Sequence, residues 1–194
     1  MTAPSSRLAE RTRVSEPIRV VAYDDAWPAR FLQLSRMLRA ALGEVALRID
    51  HIGSTAVPGL AAKPVIDVQV SVAAFEPLDS FRAPLERLGY VFRADNRELT
   101  KRYFREPPGH RRTHIHVRRA GSFSEQLALL FRDFMRTHPD WAQRYAELKL
   151  ALAERYATDR VRYPEGKAPF TWEALAAADA WAQRTGWFPG PSDG

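Results

Sequence analysis

Apolar and polar positions along the chain repeat with two different periods, and the switches between them lay out the order of elements. Short apolar residues from Ile18 to Tyr23 predict a strand. Asp24 or Asp25 can cap the helix that starts near Ala26, with Pro28 in its first turn. Phe31, Leu34, Leu38, Ala41 and Leu42 keep helical spacing until Gly43 ends the run. Val45, Leu47 and Ile49 then alternate with Arg48 and Asp50, so Val45–Ile52 reads as a half-buried strand stopping at a glycine. Pro58, Gly59 and Pro64 make the next stretch a loop or a single helical turn, after which Val65, Ile66, Val68 and Val70 form a second strand. Asp67 and Gln69, two apart on it, share a face.

Further on, Glu76–Leu88 reads as a helix stopped by Gly89. Tyr90–Arg93 and Lys101–Arg105 read as strands with Asn96 in the turn between them, and Pro107, Pro108 and Gly109 as an exposed loop. Arg112–Arg118 alternates clearly: His114 and His116 share one face, and Thr113, Ile115 and Val117 the other. The last third predicts helices at Glu125–Thr137, at Trp141–Thr158 capped by Asp140, and at Trp172–Gln183 before Gly186. Arg160–Phe170 reads as a basic, proline-containing loop between the last two. These elements predict an α/β (α+β) fold, a mixed sheet of about five strands backed by helices with a helical C-terminal part from about residue 122. Met1–Glu16 is polar and reads as a disordered leader, 17–186 as a single domain, and 187–194 as a Pro- and Gly-rich tail.

Composition narrows the class. At 194 residues and 45% hydrophobic content the chain can bury a core. Zero cysteines exclude disulfides, thiolate zinc sites and cysteine nucleophiles, and leave the cytoplasm as the default compartment. No apolar run approaches a membrane span, and no signal core opens the sequence. Lys and Arg outnumber Asp and Glu by 29 to 23, a net +6, with an isoelectric point near 10.0. Positive potential suits phosphate-bearing partners, from a nucleotide to RNA, although an Arg-rich proteome gives the same count with no ligand at all. Aromatic–basic interleaving of the kind used by RNA platforms is absent, so a nucleic-acid or assembly role stays a third alternative.

Candidate chemistry gathers in two places. At Gly53-Ser54-Thr55 a glycine that permits φ > 0 is followed by two hydroxyls beside main-chain N–H groups, which is either an anion cradle facing Asp67 or an ordinary tight turn. His114 and His116 could hold a divalent metal, accept a proton or bond a phosphate; one could equally be a buried, satisfied histidine and the other exposed. Walker, zinc-finger, GxGxxG and GxSxG patterns are missing.

The run HIGSTAVPGLAAKPVIDVQV at 51–70 resembles the signature of the GrpB family, bacterial proteins that are similar to the nucleotidyltransferase superfamily and also occur fused behind dephospho-CoA kinase. RTHIHV at Arg112–Val117, FRDFMRTHPDWAQRYAELKLALA at Phe131–Ala153 and YPEGKAPF at Tyr163–Phe170 extend the resemblance from about Ile18 to Ala182. It implies a nucleotidyltransferase-like core around a nucleoside triphosphate with Mg²⁺ or another divalent metal. Gly53, Ser54, Thr55, Lys63 and Arg112 would face the phosphates, with Lys149 and Lys167 reaching in from the helical side. Asp67, Gln69, His114 and His116 would be the metal ligands, and Asp67 and His116 the catalytic pair. Either lysine could instead be a solvated surface residue. Two-metal transfer needs paired carboxylates. Position 69, where that superfamily commonly carries the second, is Gln69, and Gln69→Asp is expected to add an anionic ligand. Metal-dependent nucleotidyl transfer to an unknown acceptor and a non-catalytic nucleotide- or coenzyme-binding module are therefore both open, with oligomeric state unspecified.

Overall fold

The computed structural model describes residues 17–194, so the leader expected at Met1–Glu16 lies outside the described residues. Helix α1 spans Trp27–Leu42 with proline in its first turn, where a missing N–H leaves no bond unmade. Asp24 Oδ1 accepts from the Ala26 N–H at 2.9 Å just before it. Trp27, Phe31, Leu38 and Leu42 form its buried stripe. The strand expected at Ile18–Tyr23 is reduced to one antiparallel bridge between Val21 and Ala62. Ile18 and Val20 bury instead against Leu152 and Tyr163, so their apolar demand is met by helices and no sheet edge recruits them.

Strands β1 (Arg48–Ile52), β2 (Ile66–Val72), β3 (Val91–Phe92), β4 (Arg102–Arg105) and β5 (Thr113–Arg119), with helix α2 (Asp79–Arg87) between β2 and β3, complete the first part. They form a single mixed sheet in the order β1-β2-β5-β4-β3. Only the central β2–β5 pair is parallel; its register sets Asp67 opposite His114 and Gln69 opposite His116. On β4, Tyr103 stands opposite His116. Val68, Val70, Ile115 and Val117 fill one face and pack with Phe31, Phe81 and Phe104 into the main core. The other face of the central strands carries Asp67, Gln69, His114 and His116, because the pleat alternates.

Helices α3 (Phe123–Thr137), α4 (Pro139–Arg155) and α5 (Arg162–Thr185) belong to the second part, and Leu130, Phe134, Tyr145, Phe170 and Ala174 form a second core there. Pro139 opens α4 and Asp140 lies in its first turn, so Asp140 is not the cap. The expected basic loop Arg160–Phe170 is mostly helix, with Pro169 inside α5. Tertiary packing overrides the proline and glycine signals there: a Cβ at Gly166 would stand 2.6 Å from Leu152 Cδ2, so the glycine lets α5 and α4 approach.

The C-terminal segment is docked, where composition predicts a tail. Ser192 Oγ accepts from the Ile49 N–H at 2.9 Å and donates to its carbonyl at 2.8 Å. Asp193 accepts from the His51 N–H at 2.9 Å and from buried Arg132 at 2.6 Å. The open edge of β1 is thereby covered, which removes an unpaired strand edge.

Candidate functional site

The chain turns at Gly53 with φ 72° and ψ −171°, and Ser54–Ala56 follows as one 3-10 turn. Only glycine tolerates that region comfortably, and space demands it as well, since a Cβ there would meet Asp67 Oδ2 at 2.7 Å. One carboxylate oxygen of Asp67 thus abuts the turn. The other, Oδ1, lies 3.1 Å from His114 Nδ1 and 3.2 Å from His116 Nε2. Among the described residues these three are the one group of His, Cys, Asp or Glu ligand atoms close enough to share a metal ion, all within 4.8 Å of one another.

Burial alone would raise the Asp67 pKa, but hydrogen bonds from His114 and His116 outweigh it and hold the carboxyl well below the usual range. Burial drives His116 the other way, down to about 4, against the pull of Asp67. The two directions are compatible, because a neutral imidazole can still donate its Nε2–H to an ionised carboxylate. Tyr103 lines the pair, its ring centroid 5.5 Å from that of His114 and 5.3 Å from that of His116.

Three lysines converge, Lys149 and Lys167 from helices α4 and α5 and Lys63 from the loop before β2. Lys63 and Lys167 sit over the Tyr163 ring, 5.0 and 5.1 Å from its centroid. Lys149 is 2% exposed, donates to the Ala61 carbonyl and lies 4.6 Å from the Tyr145 centroid. Burial, foremost, holds the Tyr145 hydroxyl well above its usual pKa, with Ser54 and Thr171 pulling it the other way. Burial, then repulsion from Lys167, pushes Lys63 down to about 8 and Lys149 to about 7. Burial also lowers Lys167, while Asp67 pulls it back up. Crowded cations of this kind, with one carboxylate acting on two of them, are held ready for an anion.

Between about pH 7 and 10.5 the unfolded chain binds the Lys149 proton that the folded chain has released, so stability rises with pH through that window. Lys149→Met lacks this cost and is expected to melt higher than wild type at pH 6, by about 1–3 kcal/mol, with the gain fading towards pH 10. Thermal denaturation at the two pH values decides it; a gap that does not change with pH contradicts a deprotonating Lys149.

Other predicted residues fall elsewhere. The Thr55 hydroxyl is buried and donates to the Val65 carbonyl at 3.1 Å, so it is spent on the fold. Gln69 is 0% exposed; its Oε1 accepts from Arg118 Nη1 at 2.6 Å and its amide donates to the Glu125 carbonyl at 3.4 Å. That oxygen therefore already spends one lone pair on Arg118. Arg112 lies 3.9 Å from Glu106 and lines a cleft of about 240 Å³ with Lys63, Arg160 and Tyr163. Tyr103, Tyr145 and Tyr163 went unsuspected, because aromatics at strand and helix spacing read as core.

A family model described as GrpB protein matches residues 17–177. A UPF0157 protein of Pseudomonas aeruginosa is 46% identical over 82% of this chain and 69% of its own length. The crystal structure of the conserved protein GrpB from Enterococcus faecalis superposes with a TM-score of 0.77 at 34% identity, covering 84% of this chain and 99% of that one. A dephospho-CoA kinase of Mycolicibacterium paratuberculosis is 35% identical over 94% of this chain but only 51% of its own length. The chain thus spans about half of that kinase, and some homologues are fused to dephospho-CoA kinase. Among the described residues no helix is long and apolar enough to cross a membrane.

Proposed function

The chain belongs to the GrpB family, and we propose that the site around Asp67 binds the polyphosphate of a nucleoside triphosphate together with one divalent metal ion. The observation that carries this reading is the trio Lys63, Lys149 and Lys167, gathered about the Tyr163 and Tyr145 rings, with burial lowering the pKa of each. A polyphosphate supplies the negative charge that such a cluster lacks. Ser54 and the N–H groups after Gly53 give the end of the chain a place to rest.

The donor set favours one kind of ion. Two imidazole nitrogens and one carboxylate suit Mn²⁺ or Zn²⁺ better than Mg²⁺, which prefers an all-oxygen octahedron. His114 Nε2 and His116 Nδ1, the atoms turned away from Asp67, are buried and meet no hydrogen-bond partner among the described residues, so the outer partner that usually orients a ligating histidine is missing there. When bound, the ion would neutralise phosphate charge. His116, held neutral by burial, serves better as a ligand than as a proton acceptor. With one carboxylate in place of the pair that two ions need, binding is the primary reading and nucleotidyl transfer the secondary one. A module that binds a nucleotide or coenzyme also suits a family fused to dephospho-CoA kinase.

ATP with Mn²⁺ is expected to raise the melting temperature by roughly 5–10 °C near saturation. Lys167→Met should lose most of that rise, and an undiminished shift in this variant would sink the assignment. Gln69→Asp should leave Mn²⁺ affinity within about twofold of wild type, because the new carboxylate pairs with Arg118 in place of the amide oxygen. Calorimetric titration of Mn²⁺ reads this directly, and a tenfold tightening would show that position 69 reaches the ion after all.

A further inference from the structure

Beside Asp67 and the lysine cluster lies a cleft of about 240 Å³, lined among the described residues by Arg19, Lys63, Arg112, Arg160 and Tyr163 with prolines at its rim, and by no described carboxylate. Arg112 and Arg160 are close enough to repel one another and Lys63. Glu106, 3.9 Å from Arg112, is itself 1% exposed at its side chain and also engages Arg105 at 3.3 Å and the Thr113 N–H at 3.2 Å. That buried carboxylate is divided among several donors, and the cleft itself presents cations to whatever enters it.

We propose that this cleft is a second anion site that takes the phosphomonoester of a small molecule, distinct from the polyphosphate site and joined to it through Lys63 and Tyr163. Guanidinium groups favour a terminal phosphate because its oxygens accept two parallel N–H bonds. The volume fits a phosphate with part of its carrier and is below that of pockets which swallow a whole drug-sized ligand. Tyr163 and the prolines Pro17, Pro64 and Pro164 supply apolar walls for that carrier. Lys63 and Lys167 lie against the same Tyr163 ring, so ligands in the two sites would sit side by side, as a donor and a phosphorylated acceptor must. That pairing rests on the proposed nucleotide site; the second anion site itself does not.

The probe is inorganic phosphate at about 20 mM, suited to a site of millimolar affinity, added to the full chain with and without saturating ATP and Mn²⁺. Phosphate should raise the melting temperature by roughly 2–5 °C, and should still do so when the nucleotide is present. Arg160→Ala, and separately Arg19→Ala, should lose most of the phosphate shift, measured from each variant's own unliganded melting temperature, while keeping the ATP–Mn²⁺ shift. Lys167→Met should do the reverse. If ATP gives no shift but phosphate behaves as described, the nucleotide site fails and the second site stands. No phosphate shift, a shift abolished by ATP, or one lost in Lys167→Met but kept in Arg160→Ala overturns the proposal. Displacement of phosphate by micromolar single-stranded RNA would overturn the assignment to a small molecule.

Discussion

Asn in place of Asp67 will lower the affinity for Mn²⁺ by at least about 100-fold and remove the metal-dependent part of the ATP shift. Asp67 Oδ1 is the atom that both His114 and His116 address, and an amide offers neither the charge nor two free oxygens. The same substitution tests the electrostatics. Because the histidines hold the folded carboxyl well below its usual pKa, its ionised form contributes stability at neutral pH that is lost as the solution is acidified past the ordinary carboxylate range. The Asp67→Asn protein should therefore melt below wild type at pH 7, with the gap narrowing at low pH. Calorimetric Mn²⁺ titration and melting curves at two pH values give both readings, and unchanged Mn²⁺ affinity would move the metal elsewhere.

Gly53→Val is expected to be the most damaging single change at the turn. Holding φ at 72° with ψ at −171° costs a non-glycine residue about 1–3 kcal/mol. The new Cβ must also displace Asp67, whose Oδ2, Cβ and Cγ would lie 2.7, 3.1 and 3.2 Å away. The carboxylate belongs to a central strand and cannot retreat far, so metal and nucleotide binding should fall together even where the protein still folds. Circular dichroism separates the two effects, and a folded Gly53→Val protein with wild-type Mn²⁺ affinity would show that the turn and the carboxylate are independent.

What the sequence made legible follows from period. The strict alternation from Arg112 to Arg118 places His114 and His116 on one face, and the alternation through Asp67 and Gln69 does the same on the neighbouring strand; a parallel register then brings Asp67 opposite His114. Glycine at 53 signals a special backbone, and the contact with Asp67 shows why. What remained hidden depends on the third dimension. Lys149 looks like a surface lysine until α4 is seen packed over the Ala61 carbonyl. Arg160–Phe170 looks like a loop until Gly166 is seen against Leu152. Gln69 gives no sign in its own strand that Arg118, two positions past His116, donates to its oxygen. In each case a partner distant in sequence decides, and no local pattern records it.

In the proposed site one cation and one polyphosphate lie between Asp67 and the three lysines. A crystal structure of the protein with Mn²⁺ and a non-hydrolysable ATP analogue, with anomalous scattering used to locate the metal, tests it most directly. The expected result is a single manganese peak between Asp67 Oδ1, His114 Nδ1 and His116 Nε2, with the phosphates against Lys63, Lys149 and Lys167. A peak or a triphosphate elsewhere on the basic surface, with Asp67 still hydrogen-bonded to both histidines, would contradict it.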